Sequence, residues 1–201
     1  MIKCFTFLLI FFPFIKGFSN ENTITKKRAG ITFSSFGDCD IIRFQELDGA
    51  ASYSSDYFFA LGLSYQHSLN EMFAIETGIE YARYNIIVHP NVPPNVNFDP
   101  YRDNFSLMSI PVKARLNFLK LCFLDAGILI DVDAGLSDPI DSQTGIGANI
   151  GAGLNYDFKF GLSIFANPYT KIHALIPFSM EKYPQRVIET GIRFGLMYGL
   201  N

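Results

Sequence analysis

Strict alternation of large apolar side chains with small or polar ones is the feature that most limits how this chain can fold. It is clearest over Tyr57 to Ser68, where one face of an extended segment carries Tyr57, Phe59, Leu61, Leu63 and Tyr65. A period of two predicts a β-strand with one face in an apolar medium and the other in a polar one. The opposite face is small or charged in almost every such segment, which suits a barrel lumen better than the core of a soluble sandwich.

Eight segments carry this alternation, and the connections between them run long, short, long, short, long, short, long. That order is typical of an up-and-down barrel with short periplasmic turns and long outer loops. The predicted fold is therefore all-β, an eight-stranded antiparallel up-and-down transmembrane β-barrel. A bulge or strand end is predicted at Pro168. The strands are predicted at residues 27–36, 57–68, 72–87, 104–118, about 121–133, 145–158, 160–172 and 186–200.

Composition agrees with a membrane barrel and argues against one other class of protein. Hydrophobic residues make up 49% of the 201 residues and charged residues 17%, and the chain has 21 Phe and 10 Tyr. Aromatic side chains are typical of the lipid-facing band of a barrel and of its two interfacial girdles. The formal net charge of −3 gives no basic surface, so nucleic acid is not expected as a partner.

The first residues have the pattern of a secretory signal. Lys3 supplies a positive start, and Cys4 to Ile15 form an apolar stretch of signal-peptide length that contains Pro13. The stretch is too short for a membrane-spanning helix, which needs about 20 apolar residues. We predict a signal peptide at residues 1–19 and one barrel domain at 20–201, located in the outer membrane after cleavage.

Charged residues on the inward faces alternate in sign between neighbouring strands. Buried charges in a narrow lumen must be paired or hydrated, so the sequence predicts an ion-paired plug that keeps the barrel closed. Glu76 and Glu80 are expected to pair with Lys113 and Arg115. A narrow ion or proton path is the alternative. The predicted lumen network consists of Glu76, Glu80, Lys113, Arg115, Asp125, Asp131, Glu189 and Arg193.

The histidines give weak support for catalysis. His89 and His173 fall in or beside predicted outer loops, where solvated side chains are expected, although Ser179 and Glu181 lie near His173 in sequence. His67 is expected at the periplasmic end of a strand on the lipid side. No spacing links these residues in a catalytic motif.

The cysteines and the acidic residues predict no metal site and no cofactor. Cys39 is expected in the first outer loop and Cys122 near the periplasmic end of the fifth strand, too far apart for a disulfide. Asp38 and Asp40 flank Cys39, but no cluster of Cys and His has the spacing of a metal site.

Two segments resemble a known family. Phe105 to Phe118 (FSLMSIPVKARLNF) and Gly191 to Leu200 (GIRFGLMYGL) are similar to strands of the PorT-like outer-membrane β-barrel domain of Bacteroidetes. The resemblance covers roughly Arg28 to the end of the chain. It implies an outer-membrane barrel, and a link to protein secretion or surface-protein assembly.

We therefore expect a monomeric outer-membrane barrel without a large pore, with a structural or interaction role and no enzymatic activity. Its expected partners are outer-membrane lipid and, through the outer loops, other envelope or secretion-system proteins. Two alternatives are a barrel enzyme that acts on lipid A or phospholipid, and a narrow ion channel. A soluble lipocalin-like barrel would invert the faces, overfilling its interior with aliphatic side chains.

Overall fold

The computed structural model describes residues 27–43, 52–91, 99–135, 139–179 and 185–200. The predicted signal peptide lies outside the described residues. No helix in these ranges is long and apolar enough to cross a membrane. The described residues form eight strands: β1 Lys27–Arg43, β2 Ser52–Ser68, β3 Phe73–His89, β4 Tyr101–Phe118, β5 Cys122–Asp133, β6 Gly145–Asp157, β7 Leu162–Pro177 and β8 Gln185–Leu200.

The strands form a closed antiparallel ring in chain order. Each strand pairs with its two neighbours in sequence, and β8 pairs with β1 from Lys27↔Leu200 to Arg43↔Gln185. Closure removes both sheet edges, which is the condition for placing strands in a medium that cannot hydrogen-bond to the backbone. The predicted eight-stranded up-and-down barrel is confirmed.

The two faces of the wall differ as the alternation predicts. Outward apolar side chains are well exposed, including Leu63 at 66%, Ile150 at 64% and Ile128 at 48%. Exposed aromatic side chains lie at both ends of this apolar band, and Tyr57 and Tyr198 illustrate the outer and the short-turn end. Such a band between two aromatic girdles matches the hydrocarbon layer and its interfaces.

The strands extend further at the long-loop end than predicted. The predicted loop at 37–55 instead contains the end of β1, to Arg43, and the start of β2, from Ser52. Likewise β4 begins at Tyr101 and β7 continues to Pro177. Beyond the apolar band both faces of a strand can be polar, so the alternation that identifies a strand disappears although pairing continues.

Register shifts occur in the outer halves of the strands, between Ser35 and Asp38, between Ser55 and Tyr57, and between Ile146 and Ala148. Pro168 is not at a bulge: it faces outward and pairs in regular register with Ile192. The predicted bulge at Pro168 is therefore wrong, because an outward proline only removes one donor from the ladder.

The predicted turn at Leu119 and Lys120 is confirmed. Both residues have positive φ, 49° and 61°, and they lie in the three-residue connection between Phe118 and Cys122, which are register partners. The alternation also predicts that Gly127 faces the lumen with space for a serine hydroxyl. Gly127 does share the inward face with Asp125 and Leu129, but the predicted space is wrong. A Cβ there would lie 2.2 Å from the Val112 carbonyl oxygen and 2.6 Å from Cα of Lys113, so close approach of β4 requires glycine.

The position of a residue within the apolar band predicts how much stability the barrel loses when a charge is introduced there. Ile128 and Val132 lie on the outward face of β5, and both are 48% exposed. Ile128→Arg should lower the free energy of unfolding by about 2–4 kcal/mol, because it lies near the middle of the band, and Val132→Arg by about 0–1 kcal/mol, because it lies near the interface. Urea unfolding in phospholipid vesicles measures both. Equal losses of stability in the two variants would mean that the apolar band has been placed wrongly along β5.

Candidate functional site

The lumen holds a charged network, and it includes all eight of the charged residues assigned to it from the sequence. Each of them is buried, with at most 6% of its surface exposed. The structure divides them into two connected groups, one around Glu76 and one around Glu189. Asn167, Tyr169, Lys171 and His173 of β7 and Tyr84 of β3 also belong to this network.

Glu76 is the centre of the group nearer the short turns. Its carboxylate lies 2.9 Å from Nζ of Lys113, 2.6 Å from Arg193 and 3.6 Å from Arg115. Lys113 is also its register partner on β4. Ser64 donates a further hydrogen bond to Glu76 at 3.0 Å. A fully buried carboxylate with three cations around it satisfies the requirement that buried charges be paired.

Asp125 extends this group across β5. It lies 3.4 Å from Arg193 and accepts a hydrogen bond of 2.6 Å from Asn167. Gly151, on the inward face of β6, leaves space for it, since a Cβ there would lie 2.9 Å from Oδ1 of Asp125. The glycines of β6 therefore make room for the network.

Glu189 is the centre of the second group. Lys171 donates to it at 3.0 Å, and the hydroxyls of Tyr84 and Tyr169 also donate to it. Lys171 forms a second ion pair, with Glu80. The predicted pairing of Glu80 with Lys113 or Arg115 is therefore wrong, because β7 supplies a cation from the other side of the lumen.

His173 joins the second group to Asp131. Its Nδ1 lies 3.1 Å from Asp131 and its Nε2 lies 3.5 Å from Glu189. Ser109 donates to Asp131 at 2.5 Å. His173 is fully buried, so its predicted place as a solvated loop residue is wrong. Continuing the alternation of β7 beyond Tyr169 would have placed both Lys171 and His173 inside.

The network is close to charge balance within the described part of the chain. Five carboxylates face four Lys and Arg side chains, and His173 contacts two of those carboxylates. A balanced set of buried charges holds together without a bound counter-ion. The geometry is that of a plug.

Below the network lies an apolar layer, the aromatic floor, made of Phe123, Phe165 and Met197. Phe123 and Phe165 meet edge to face with their centroids 6.0 Å apart. The guanidinium of Arg115 lies 3.4 Å from the Phe123 centroid, which is a cation–π contact. The aromatic floor covers only part of this level, because Asn117 and Asn155 also lie there and hydrogen-bond to Arg115. Asn155 donates to Asp157, which pairs with Arg28, so polar contacts continue to the short-turn end.

Above the network lies a larger apolar layer, the apolar roof. Tyr84 stacks between Phe58 and Phe105, with centroids 5.9 and 4.8 Å away. Ile140, from the connection between β5 and β6, packs into the same layer. The buried members of the apolar roof are Cys39, Phe58, Ala60, Ala82, Tyr84, Ile86, Val88, Phe105, Leu107, Ile140 and Val187.

The connection between β5 and β6 is held over the roof by hydrogen bonds. Gln143 is fully buried, donates to the Gln185 carbonyl at 3.1 Å and accepts from the Val187 N–H at 3.3 Å. Asp141 and Gln185 exchange two more bonds, of 3.1 and 3.2 Å. The sequence predicts this segment only as a loop, and its described residues 139–144 pack against β8 at the outer end of the lumen.

Little free space remains between the charges. A cavity of about 10 Å³ lies among Glu80, Lys113, Asn149, Lys171 and Arg193. That volume accommodates about one water molecule. Oδ1 of Asn149 has no protein partner, so a single water there has an acceptor and several donors around it.

The remaining candidates lie elsewhere on the wall. His89 ends β3, and its Nε2 lies 2.9 Å from Oγ of Ser54 on the exposed outer face. His67 lies near the short-turn end of β2. Cys39 is in β1 and in the apolar roof, not in a loop, and Cys39 and Cys122 are free thiols. Within the described ranges, no group of three or more His, Cys, Asp or Glu residues is arranged to hold a metal ion.

A double-mutant cycle checks the corrected pairing. Lys171→Gln should lower the free energy of unfolding by about 3–5 kcal/mol, because Glu80 and Glu189 both lose their cation. Adding Glu80→Gln should recover part of that loss. As a control, Glu80→Gln and Arg115→Gln share no partner and should be additive within about 0.5 kcal/mol. Similar coupling in both cycles would contradict the assigned pairs.

Comparisons with known proteins bear on the fold. No family model and no curated protein matches the chain. The outer membrane protein OprG from Pseudomonas aeruginosa matches over 86% of this chain and 93% of that chain, with a TM-score of 0.51 and 10% identity. Ail, the attachment invasion locus protein of Yersinia pestis, matches over 86% and 99%, with a TM-score of 0.40 and 13% identity. The likeness to OprG shows the fold alone, that of an eight-stranded outer-membrane barrel.

Proposed function

We propose that this protein is a monomeric outer-membrane barrel without a conducting pore, with a structural or interaction role in the envelope. The observation that carries the proposal is the filled lumen: the charged network occupies its middle, with the aromatic floor below and the apolar roof above. A barrel filled in this way offers no path for solutes, so its function depends on its outer surface and rim. Removal of residues 1–19 as a signal peptide is part of the proposal.

The interior geometry argues against the narrow-channel alternative. Conduction needs a continuous path with sites that bind weakly enough to release an ion. Here the carboxylates of Glu76 and Glu189 are 0% exposed and each contacts two or more cationic or hydroxyl groups. An ion would have to displace those contacts and then pass the apolar roof at the outer end.

The outer rim is the surface proposed for partners. Strands β1 to β4 continue past the apolar band, so they present polar wall outside the membrane. Outer-membrane lipid surrounds the band, and other envelope or secretion-system proteins are the proposed partners at the rim. The resemblance of Phe105 to Phe118 to PorT-like strands supports the link to secretion.

Membrane location and closure can be tested together. The processed protein should fractionate with outer membranes and migrate differently on gels before and after heating, because a closed barrel resists denaturation. In planar bilayers it should show no sustained conductance. Recovery as a soluble periplasmic protein would reject the location, and a steady current abolished by Glu80→Gln would reject the plug.

One observation favours a second candidate, an enzyme that acts on outer-leaflet lipid. Ser54 and His89 are in contact on the outer face, at 2.9 Å, the geometry of a nucleophile beside a base. Among the described residues no carboxylate hydrogen-bonds to His89 to orient it. Ser109, Asp131 and His173 also bring a serine, an aspartate and a histidine together. Each of these three residues is at most 2% exposed, and they lie below the apolar roof.

Mass spectrometry of lipid A decides between the two functions. Lipid A incubated with the folded barrel should keep its acyl chains, and Ser54→Ala and His89→Ala should behave like the wild type. Loss of an acyl chain with the wild type, abolished by Ser54→Ala but not by the buried Ser109→Ala, would establish the enzyme.

A further inference from the structure

The outward face of β3 changes character abruptly at one residue. From Phe73 to Tyr81 its outward side chains are mostly exposed apolar or aromatic residues. These eight residue steps span about 26 Å of strand, or about 20 Å along the membrane normal at a tilt near 40°. The next outward residue is Arg83, which is exposed. Arg83 therefore lies where the hydrocarbon layer ends and the headgroups begin, at the long-loop end.

Above Tyr81 the outward faces of β3 and β4 are mostly polar, although Ile87 of β3 lies beside Arg102. Arg83 donates to Oδ1 of Asn104 on β4 at 3.1 Å, and Asn85 is the register partner of Asn104. Arg102 follows on the outward face of β4. Its side chain is 78% exposed and lies 3.4 Å from Asp56. Each guanidinium has five N–H donors, so both arginines keep donors free to bind an anion.

Exposed arginines near the outer interface lie on one side of the barrel. Among the residues whose side chains the structure describes, they are Arg83 and Arg102. On β1 the outward positions at the same end carry carboxylates, with Asp38 and Asp40 both exposed. Asp56 offsets part of the charge of Arg102, and an anionic lipid is still favoured at β3 and β4 over the outward face of β1.

We propose that Arg83 and Arg102 form a binding site for the phosphate groups of lipid A in the outer leaflet. The proposal rests on the proposed outer-membrane location. Arg83 binds a phosphate at the edge of the hydrocarbon layer, and Arg102, further out on the next strand, adds a second cation. The planar guanidinium fork matches phosphate oxygens in a bidentate manner. The neighbouring apolar band, ending at Tyr81, packs against the acyl chains of the same lipid.

The test uses the folded barrel in phosphatidylcholine nanodiscs that contain a small fraction of lipid A, either phosphorylated or enzymatically dephosphorylated. Native mass spectrometry counts the lipid A molecules that remain bound. The wild type should retain the phosphorylated form in excess. Arg83→Gln should reduce that excess about fivefold, and Arg102→Gln by a similar or smaller factor. Arg83→Lys, which keeps the charge, should retain more than Arg83→Gln does.

Asp40→Asn is the matched control, because it removes a charge at the same end of the barrel but on β1. It should leave the retained lipid A unchanged or slightly increase it. Equal retention of both lipid forms, or no effect of Arg83→Gln, would overturn the site. A wild-type chain that cannot be assembled into nanodiscs at all would instead reject the membrane location, so the two failures are distinguishable.

Discussion

The closed backbone ladder is the constraint on which the rest of this structure depends. A bilayer offers no water to unpaired N–H and C=O groups, so a spanning sheet must return to its first strand. Pairing of β8 with β1 meets that condition. With eight strands the ring is just wide enough for side chains to fill. Closure therefore produces two surfaces with opposite requirements. The outer surface must be apolar to contact lipid, and the crowded lumen must provide partners for every polar group that it contains.

The lumen meets its requirement by layering. Charges occupy the middle, where Glu76 and Glu189 each contact several partners, and apolar clusters lie above and below them. Burial strengthens the ion pairs and also makes an unpaired charge costly. Packing is equally close at two glycines. Gly127 lets the backbone of β4 approach, and Gly151 leaves room for the carboxylate of Asp125. Such an interior is suited to rigidity, and it leaves the outer surface as the part that can interact.

The composition of the outer surface changes along the barrel axis. The apolar band ends at Tyr81 on β3, and above it the wall carries Arg83, Arg102 and the contact between Ser54 and His89. These residues lie where lipid headgroups meet the wall. The filled interior and the polar outer rim support the proposal of a protein that holds lipid or protein partners and does not pass solutes.

The sequence by itself determined the strand number, the connection order, the direction of each face and eight of the charged residues that enter the lumen. All of these follow from a period of two, which is a local property. The partners of those charges were decided by tertiary structure: Glu80 pairs with Lys171 from β7, and His173 joins Asp131 to Glu189. The Glu80–Lys171 and Asp131–His173 contacts cross the lumen between strands that are not neighbours, so no pattern along the chain encodes them. The roof was decided in the same way, because Ile140 and Gln143 become a lid only once the ring beneath them has closed.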